Sequence, residues 1–346
     1  MADDLLADSI AAFLAGRCDL QRVRGIEADE SGVLGAALWD EIEETGFADA
    51  LVDEAQGGAG LRFDEAGAIA LACGRHAVPV ALSTTMVARA ALAQAGVPVP
   101  AGAIAIATAR HEPGAGELSY AAVPFGMTAA WLLVSAPAGT WLLPTGSAQR
   151  VRAAGHCSLA ADLHWAARPA DTVALPRDER APPDWRAIGA VLLAAQIAGA
   201  ADRLSEMAIG YANERVQFSK PIGRQQAIQQ QLSVMAEHSF AARTAALIGL
   251  SGPSWRVDPL RAALAKARTG EAATAVAAIA HAVHGAIGVT EEFDLQLFTR
   301  RLHEWRMHYG GESYWNRRLG EALLQADLPP LQFVQDRLAA STCWPG

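Results

Sequence analysis

Hydrophobic residues recur with helical spacing along the first hundred residues of the chain. Three of them follow one another at every fourth position: Leu34, Leu38 and Ile42. Gly46 then stands where the end of a helix favours a left-handed residue. Alanine-rich stretches at 64–74 and 83–95 predict two further helices. Residues 1–100 are therefore predicted to form an N-terminal helical domain.

The pattern changes after residue 100. Short apolar runs separated by Pro and Gly suit strands better than helices. The runs lie at 103–108, 131–134, 140–143 and 170–175. Residues 101–180 are therefore predicted to form a small β domain.

Long helical patterns return after Pro182-Pro183-Asp184. Residues 185–214 are crowded with Ala and Gly, which lets helices approach closely. Asp258 and Pro259 form an N-cap followed by a proline at the first helical position. The predicted helices begin near 185, 223, 258 and 291. Residues 181–346 are therefore predicted to form a C-terminal four-helix bundle, which makes the chain mainly α.

Composition narrows the functional classes. Hydrophobic residues make up 51% and charged residues 19%, and the net charge is −9 without a run of Lys or Arg. This argues against a nucleic-acid partner, although a coenzyme A tail would need only a few local cations. No stretch is expected to reach the roughly 20 apolar residues of a membrane span. The four cysteines form no CxxC pair, which predicts reduced thiols and a cytoplasmic location.

No metal site is predicted. His303 and His308 resemble part of a zinc-binding helix motif, but they are five positions apart. At about 100° per residue, their side chains point roughly 140° apart on a helix, so they cannot share a metal ion.

Three blocks of sequence resemble the acyl-CoA dehydrogenase family, and they stand in the order that the family shows. The segment from Tyr211 to Ile228, YANERVQFSKPIGRQQAI, is similar to the family pattern Tyr-x-x-x-Arg-x-Gln-Phe-Gly-x-Pro-Ile. The block HGAIGVTE at 284–291 resembles the family's paired glycines, and LVDEAQGGAG at 51–60 resembles its Gly-Gly-x-Gly loop. This resemblance implies an N-terminal helical domain, a central β domain and a C-terminal four-helix bundle.

The resemblance also implies FAD as cofactor and an acyl-CoA thioester as substrate. In the family, a glutamate removes a proton from the α carbon while a hydride leaves the β carbon for FAD. Arg215 matches the arginine that meets the FAD diphosphate. Gln217, Phe218 and Gln226 match positions that line the same cofactor, and Gly285 matches a glycine that lets the backbone approach it.

Other family positions are altered in this chain. Ala282 stands where the family has a glutamine, and no Trp-Ile-Thr strand follows Glu112-Pro113. The family's usual base aligns with Gly310, whereas the nearby carboxylate is Glu312. The family's alternative base position falls near Gly189, where there is no acid. Glu312 is therefore the predicted catalytic base, and the competing interpretation is an exposed glutamate at a helix start, favoured there by the helix dipole.

This pattern of loss resembles one particular group within the family. The family's Arg-Phe-Gln set reaches the FAD of a neighbouring subunit, whereas the β-domain strand and the base serve a chain's own site. Short heteromeric subunits of steroid and aromatic degradation pair with a complete partner in a heterotetramer. The prediction is an FAD-dependent acyl-CoA dehydrogenase subunit that needs a complete paralogue. A self-sufficient homotetramer and a non-catalytic structural helical subunit remain the alternatives.

Overall fold

The computed structural model describes residues 2–153, 155–178 and 182–338, and this part of the chain is mainly helical, with helices, then strands, then helices. The predicted mainly α architecture is confirmed. Contacts divide the chain into two compact units. Unit 1 comprises Met1–Ile69, Val78–Gly189 and Gly252–Arg256, and unit 2 comprises Ala70–Ala77, Ala190–Ser251 and Val257–Gly346. The domain boundaries at 100 and 180 remain a prediction.

Helices come first in unit 1. They are α1 (Ala2–Arg17), α2 (Leu20–Ala28), α3 (Val33–Glu43), the first half of α4 (Phe63–Arg75) and α5 (Leu82–Gln94). The Asp19 carboxylate accepts a hydrogen bond from the Arg22 backbone N–H, 2.7 Å away, and so caps α2. Gly46 is left-handed, with a φ of 76°, as predicted for the turn after α3.

Two small sheets follow in unit 1. The strands are β1 (Ile104–Thr108), β2 (Leu118–Val123), β3 (Trp131–Ala136), β4 (Gly139–Pro144), β5 (Gln149–Arg152), β6 (Ala161–Trp165) and β7 (Val173–Ala174). One sheet has the order β1-β3-β4-β7, in which only β1 and β3 are parallel, and the other has the antiparallel order β2-β6-β5. The strand predicted at 170–175 is only two residues long, and β2, β5 and β6 were not predicted.

Hydrogen bonds fasten α5 to β1 at the centre of unit 1. The Ile104 N–H donates to Thr85 Oγ1 at 2.8 Å, and Thr84 Oγ1 donates to the Ile104 carbonyl at 2.8 Å. Further along α5, buried Arg89 forms ion pairs with Glu43 and Asp49. Because buried polar groups are costly when unpaired, these bonds fix the orientation of α5 against the strands.

Unit 2 is a helical bundle. Its elements are the second half of α4, most of α6 (Trp185–Glu214), β8 (Val216–Gln217), β9 (Lys220–Pro221), α7 (Gln226–Leu250), α8 (Pro259–His284), α9 (Leu295–Trp305), α10 (Glu312–Ala326) and α11 (Pro330–Phe333). Asp258 caps α8 by accepting hydrogen bonds from Leu260 N–H and Arg261 N–H, both at 2.9 Å, as its position before Pro259 predicts. The helix predicted near Glu291 begins later, at Leu295.

Small residues let the helices of unit 2 pack closely. A Cβ atom added at Gly199 of α6 would overlap the Leu71 carbonyl of α4, and one added at Gly74 would overlap the Gln196 carbonyl. A Cβ atom added at Gly249 of α7 would lie only 2.7 Å from the Cβ atom of Ala265 in α8. The Ala and Gly content of 185–214 therefore has a direct packing role.

Two helical segments are long and apolar enough to cross a membrane, so the expectation that no segment would be is wrong by that measure. They are Trp185–Glu214 and Pro259–Val289. Core helices of globular proteins pass the same test, and 89% of the apolar window in the first segment is buried inside the protein.

Candidate functional site

A strained hairpin follows α6 and carries two of the residues predicted to contact FAD, Gln217 and Phe218, and a third, Arg215, directly precedes it. Its strands β8 and β9 pair Val216 with Pro221 and Gln217 with Lys220. Both turn residues, Phe218 and Ser219, are left-handed, with φ of 52° and 65°. A left-handed conformation costs a non-glycine residue about 1–2 kcal/mol. Residues in such strained conformations cluster at active sites and ligand-binding sites. The Phe218 side chain is 86% exposed.

The polar side chains around this hairpin are exposed. Two backbone hydrogen bonds fix the position of Arg215. Its N–H donates to the Tyr211 carbonyl, and its carbonyl accepts from the Ile222 N–H, each at 2.8 Å. Gln226 is the first residue of α7. Within the described part of the chain, Arg215, Gln217 and Gln226 have no hydrogen bond or ion pair from their side chains. They are thus available to an external ligand.

Gly285 needs to be glycine for its conformation. It ends α8 with φ 64° and ψ −141°, a region that only glycine adopts readily. An added Cβ would meet nothing within 4 Å, so space is not the constraint.

An aromatic cluster joins the two motif blocks. Tyr211 stacks on His284 with ring centroids 4.5 Å apart, and Phe293 contacts both rings. Nδ1 of His284 lies 2.8 Å from the Ala280 carbonyl. Burial lowers the pKa of His284, with the Ala280 bond opposing and His281 adding to this effect, so the ring is neutral at pH 7. The structure therefore brings Arg215, four residues after Tyr211, and Gly285, directly after His284, into one region of unit 2.

Glu312, the predicted base, is bound to a guanidinium. It begins α10, and its carboxylate makes two hydrogen bonds to Arg306, at 2.7 Å from Nε and 3.0 Å from a terminal nitrogen. Its Cδ lies 2.9 Å from where a Cβ of Gly270 in α8 would be, so the glycine provides room for the carboxylate. This geometry gives Glu312 a structural role at the start of α10, and its catalytic role remains a prediction.

Lys266, which the sequence analysis did not single out, lies beside Glu312. Its side chain is 1% exposed, and its ammonium donates to the carbonyls of Trp305, at 2.9 Å, and Arg306, at 2.7 Å, at the end of α9. Burial lowers the pKa of Lys266 to about 7, although Glu312 opposes the shift. A signal was present in the sequence. The residues one turn before and after it on α8 are all small: Ala262, Ala263, Thr269 and Gly270.

Comparison with known proteins identifies the family. A family model for the C-terminal domain of acyl-CoA dehydrogenases matches residues 187–320. The chain is 31% identical over 311 residues to acyl-CoA dehydrogenase IpdE2 of Mycobacterium tuberculosis, covering 86% of this chain and 90% of that protein. The chain belongs to the acyl-CoA dehydrogenase family. Acyl-CoA dehydrogenases are oxidoreductases that act on CH–CH bonds and use FAD, so the resemblance inferred from the three motif blocks is confirmed.

Solved structures of acyl-CoA dehydrogenases share the fold. A steroid acyl-CoA dehydrogenase designated Tcur3481–Tcur3483 superimposes with a TM-score of 0.77 at 24% identity, covering 94% of this chain and 98% of that one. The ChsE4–ChsE5 complex from Mycobacterium tuberculosis gives a TM-score of 0.75 at 20% identity, covering 95% and 98%. The second of these structures is named as a complex.

The residues present fit part of an FAD site. The exposed Arg215 fork suits a diphosphate, and exposed Phe218 and Gly285 offer a ring and an unobstructed backbone. In contrast, Glu312 is already bound to Arg306, and no acid stands at Gly310 or Gly189. The chain thus has residues suited to holding a cofactor, whereas Glu312, the predicted base, is hydrogen-bonded to Arg306.

Proposed function

We propose that the chain is one subunit of a heteromeric, FAD-dependent acyl-CoA dehydrogenase and that it contributes FAD contacts to a complete partner subunit. The observation that carries the proposal is the strained hairpin. It holds Phe218 and Arg215 in solvent, with no partner for their side chains in the described residues. A conformation that costs free energy in the isolated chain is explained if a ligand or neighbouring subunit contacts it.

In this proposal, FAD supplies the acceptor for the hydride that leaves the acyl-CoA thioester. The residues of this chain bind and orient. The Arg215 guanidinium neutralises diphosphate charge with paired hydrogen bonds, and Gln217 and Gln226 donate from their amides. The Phe218 ring covers an apolar face of the cofactor, and the partner provides the base that removes the α proton.

The rival proposal is a structural helical subunit that binds neither flavin nor thioester. The clamp of Arg306 on Glu312 favours it, because a carboxylate held by two hydrogen bonds is poorly placed to take a proton. It does not explain why Arg215, Gln217 and Gln226 are all exposed beside a strained aromatic turn. The two proposals differ in whether flavin content depends on this chain.

Flavin retention separates the proposals. We expect the purified chain to hold little FAD and to dehydrogenate acyl-CoA negligibly, since loss of a base costs a factor of about 10² to 10⁴. Mixing it with a complete paralogue should raise the flavin bound per complex, measured by absorbance after gel filtration. Arg215→Ala should lower that content while the isolated variant keeps its circular dichroism spectrum.

The matched control is Arg317→Ala, which removes another exposed arginine of unit 2, on α10. It should leave the flavin content unchanged. A yellow isolated chain with one flavin per subunit, reduced on addition of an acyl-CoA, would contradict the partner proposal and favour a homotetramer. A cytoplasmic location belongs to the same proposal; among the described residues, Cys18, Cys73 and Cys157 form no disulfide.

A further inference from the structure

The hairpin formed by β8 and β9 is joined at its base to the last turn of α6. The Arg215 N–H donates to the Tyr211 carbonyl, and the Ile222 N–H donates to the Arg215 carbonyl, each at 2.8 Å. These two bonds attach both ends of the hairpin to the same turn of helix. The position of the Arg215 backbone therefore depends on the position of Tyr211.

A histidine at the end of α8 fixes the side chain of Tyr211. The His284 ring stacks on the Tyr211 ring, with centroids 4.5 Å apart and an interplanar angle of 27°. Phe293 completes the cluster, since its ring centroid lies 5.1 Å from that of His284 and 6.2 Å from that of Tyr211. Aromatic pairs at these distances have a preferred geometry, so the cluster holds Tyr211 in one orientation.

The His284 ring is held in turn by its own helix and by the turn that follows. Its Nδ1 lies 2.8 Å from the Ala280 carbonyl, and because a carbonyl only accepts, Nδ1 is the donor. A Cβ atom added at Gly288 would lie 2.9 Å from the His284 Cβ atom, so the turn after α8 packs directly on this side chain. His284 is 3% exposed. The ring therefore has little room to rotate.

The other nitrogen of the ring contributes nothing to this cluster. Nε2 of His284 is buried and has no hydrogen-bond partner among the described residues. In a neutral ring whose Nδ1 donates, Nε2 is an acceptor, and a buried acceptor without a donor is costly. The part of His284 that acts on Tyr211 is thus the stacked ring, which a phenylalanine would reproduce.

We propose that His284 is a positioning residue, whose stacking on Tyr211 sets the spacing between Arg215 and Gly285. The inference rests on the proposed function, which assigns FAD contacts to both of these residues. His284 acts on Arg215 through the Tyr211 carbonyl, and on Gly285 through the peptide bond that joins them. One stacked pair thereby holds together two segments that lie far apart in the sequence.

Hydrogen exchange of the isolated full-length chain tests the inference without flavin, partner or turnover. We expect His284→Ala to speed exchange of the Arg215 and Ile222 amides about tenfold, because the loss of an aromatic pair has an effect of that order. His284→Phe keeps the stack and removes both ring nitrogens, so it should leave these amides as protected as in the wild type.

Two further variants separate positioning from packing. His284→Leu fills most of the same volume, so folding is not at risk, and it should speed exchange of the hairpin amides as His284→Ala does. Val276→Ala is the matched control, since it removes part of another fully buried side chain of α8. It should not change the protection of the hairpin amides relative to amides at the centre of α6.

A double-mutant cycle in the mixed complex connects the hairpin with the cofactor. We expect Arg215→Ala and His284→Ala each to raise the Kd of FAD, by about tenfold and about threefold, in a fluorescence titration. Because His284 acts partly through Arg215, the double variant should lose less affinity than the product of the two single losses. His284→Phe should bind FAD as the wild type does.

Three results would overturn the inference. They are hairpin amides that stay protected in His284→Leu, equal loss of protection in His284→Phe, and losses of FAD affinity that multiply in the double variant. If Arg215→Ala did not change FAD binding at all, the proposed function would fail instead. Hydrogen exchange would still decide whether His284 positions the hairpin.

Discussion

The ammonium of Lys266 makes the stability of unit 2 depend on pH. The folded chain releases this proton near pH 7, whereas the unfolded chain holds it up to the ordinary pKa of 10.5. Between these values the unfolded state binds more protons, so stability from this group rises with pH. Below about pH 7, both states are protonated, and the full cost of the buried charge is present.

We therefore expect the free energy of unfolding of the wild type to rise, relative to that of Lys266→Met, as the pH rises from about 7 toward 10.5. The slope should be at most about 1.4 kcal/mol per pH unit. Urea unfolding at a series of pH values measures it. Lys220→Met, at an exposed position in the hairpin, should give a difference independent of pH. A flat difference for Lys266→Met would show that its pKa is ordinary.

Glu312→Gln distinguishes a clamp from a catalytic base. The Glu312 carboxylate is half-buried and accepts two hydrogen bonds from Arg306. Because the substitution removes this charged partner of Arg306, we expect the free energy of unfolding to fall by about 1–3 kcal/mol. Glu321→Gln, at an exposed position of the same helix, should cost little. A variant at 312 with unchanged stability but greatly reduced turnover in the assembled enzyme would instead identify Glu312 as the base.

At the scale of elements, the contact of α6 with α4 depends on a missing side chain. Gly199→Ala places a methyl group against the Leu71 carbonyl, and the Arg75 backbone nitrogen lies 2.9 Å away. Such overpacking typically costs about 1–3 kcal/mol. Gly210→Ala in the same helix meets nothing within 4 Å and should stabilise by up to about 1 kcal/mol. We expect the thermal unfolding temperature to fall for Gly199→Ala and to rise for Gly210→Ala. Equal shifts in the two variants would contradict the packing argument.

Relieving the backbone strain at Phe218 should raise the stability of the isolated chain and lower flavin retention by the mixed complex. Phe218→Asn places a residue that tolerates the left-handed region at φ 52° and should stabilise the isolated chain by about 1 kcal/mol. The same change should lower flavin retention by the mixed complex, because the ring is lost. Ser219→Gly relieves strain at φ 65° but keeps the ring, so it should stabilise without that loss. Unaltered flavin retention in Phe218→Asn would remove Phe218 from the proposed cofactor contacts.

The helices could be predicted from sequence more fully than the strands. Asp258-Pro259 and the alanine-rich periodicities are local signals, and the helices begin and end close to the predicted residues. Strand β2 was missed because a bulge with left-handed Ala122 breaks its alternation. Strand β5 has the polar sequence QRVR, which carries no apolar signal.

The candidate site was predictable only in part, for a related reason. The residues of the hairpin are contiguous in sequence, so a motif finds them together. Lys266 meets carbonyls 39 and 40 residues away, and the Tyr211 ring of α6 stacks on His284 at the end of α8. Such sites exist only after folding, and no local spacing encodes them.

At the scale of the whole molecule, we expect a dimer or tetramer assembled through the bundle. Large apolar side chains of unit 2 are exposed in the single chain: Phe218, Phe240, Leu247, Val289, Leu324 and Leu331. Burying such residues in an interface is favourable by about 25 cal/mol for each Å² removed from water. Light scattering at micromolar concentration should give a mass of two or four chains, and a monomer would contradict the prediction.

The exposed ring of Phe218 also ties the lifetime of the chain in the cell to the supply of its partner. A subunit made in excess presents an apolar ring on a strained turn, which chaperones and proteases recognise in unassembled proteins. Under the proposed function, assembly covers that ring. The complex would therefore set its own stoichiometry, because unpaired copies are removed and paired copies persist. Deleting the gene of the partner should then deplete this protein without any change in its transcript.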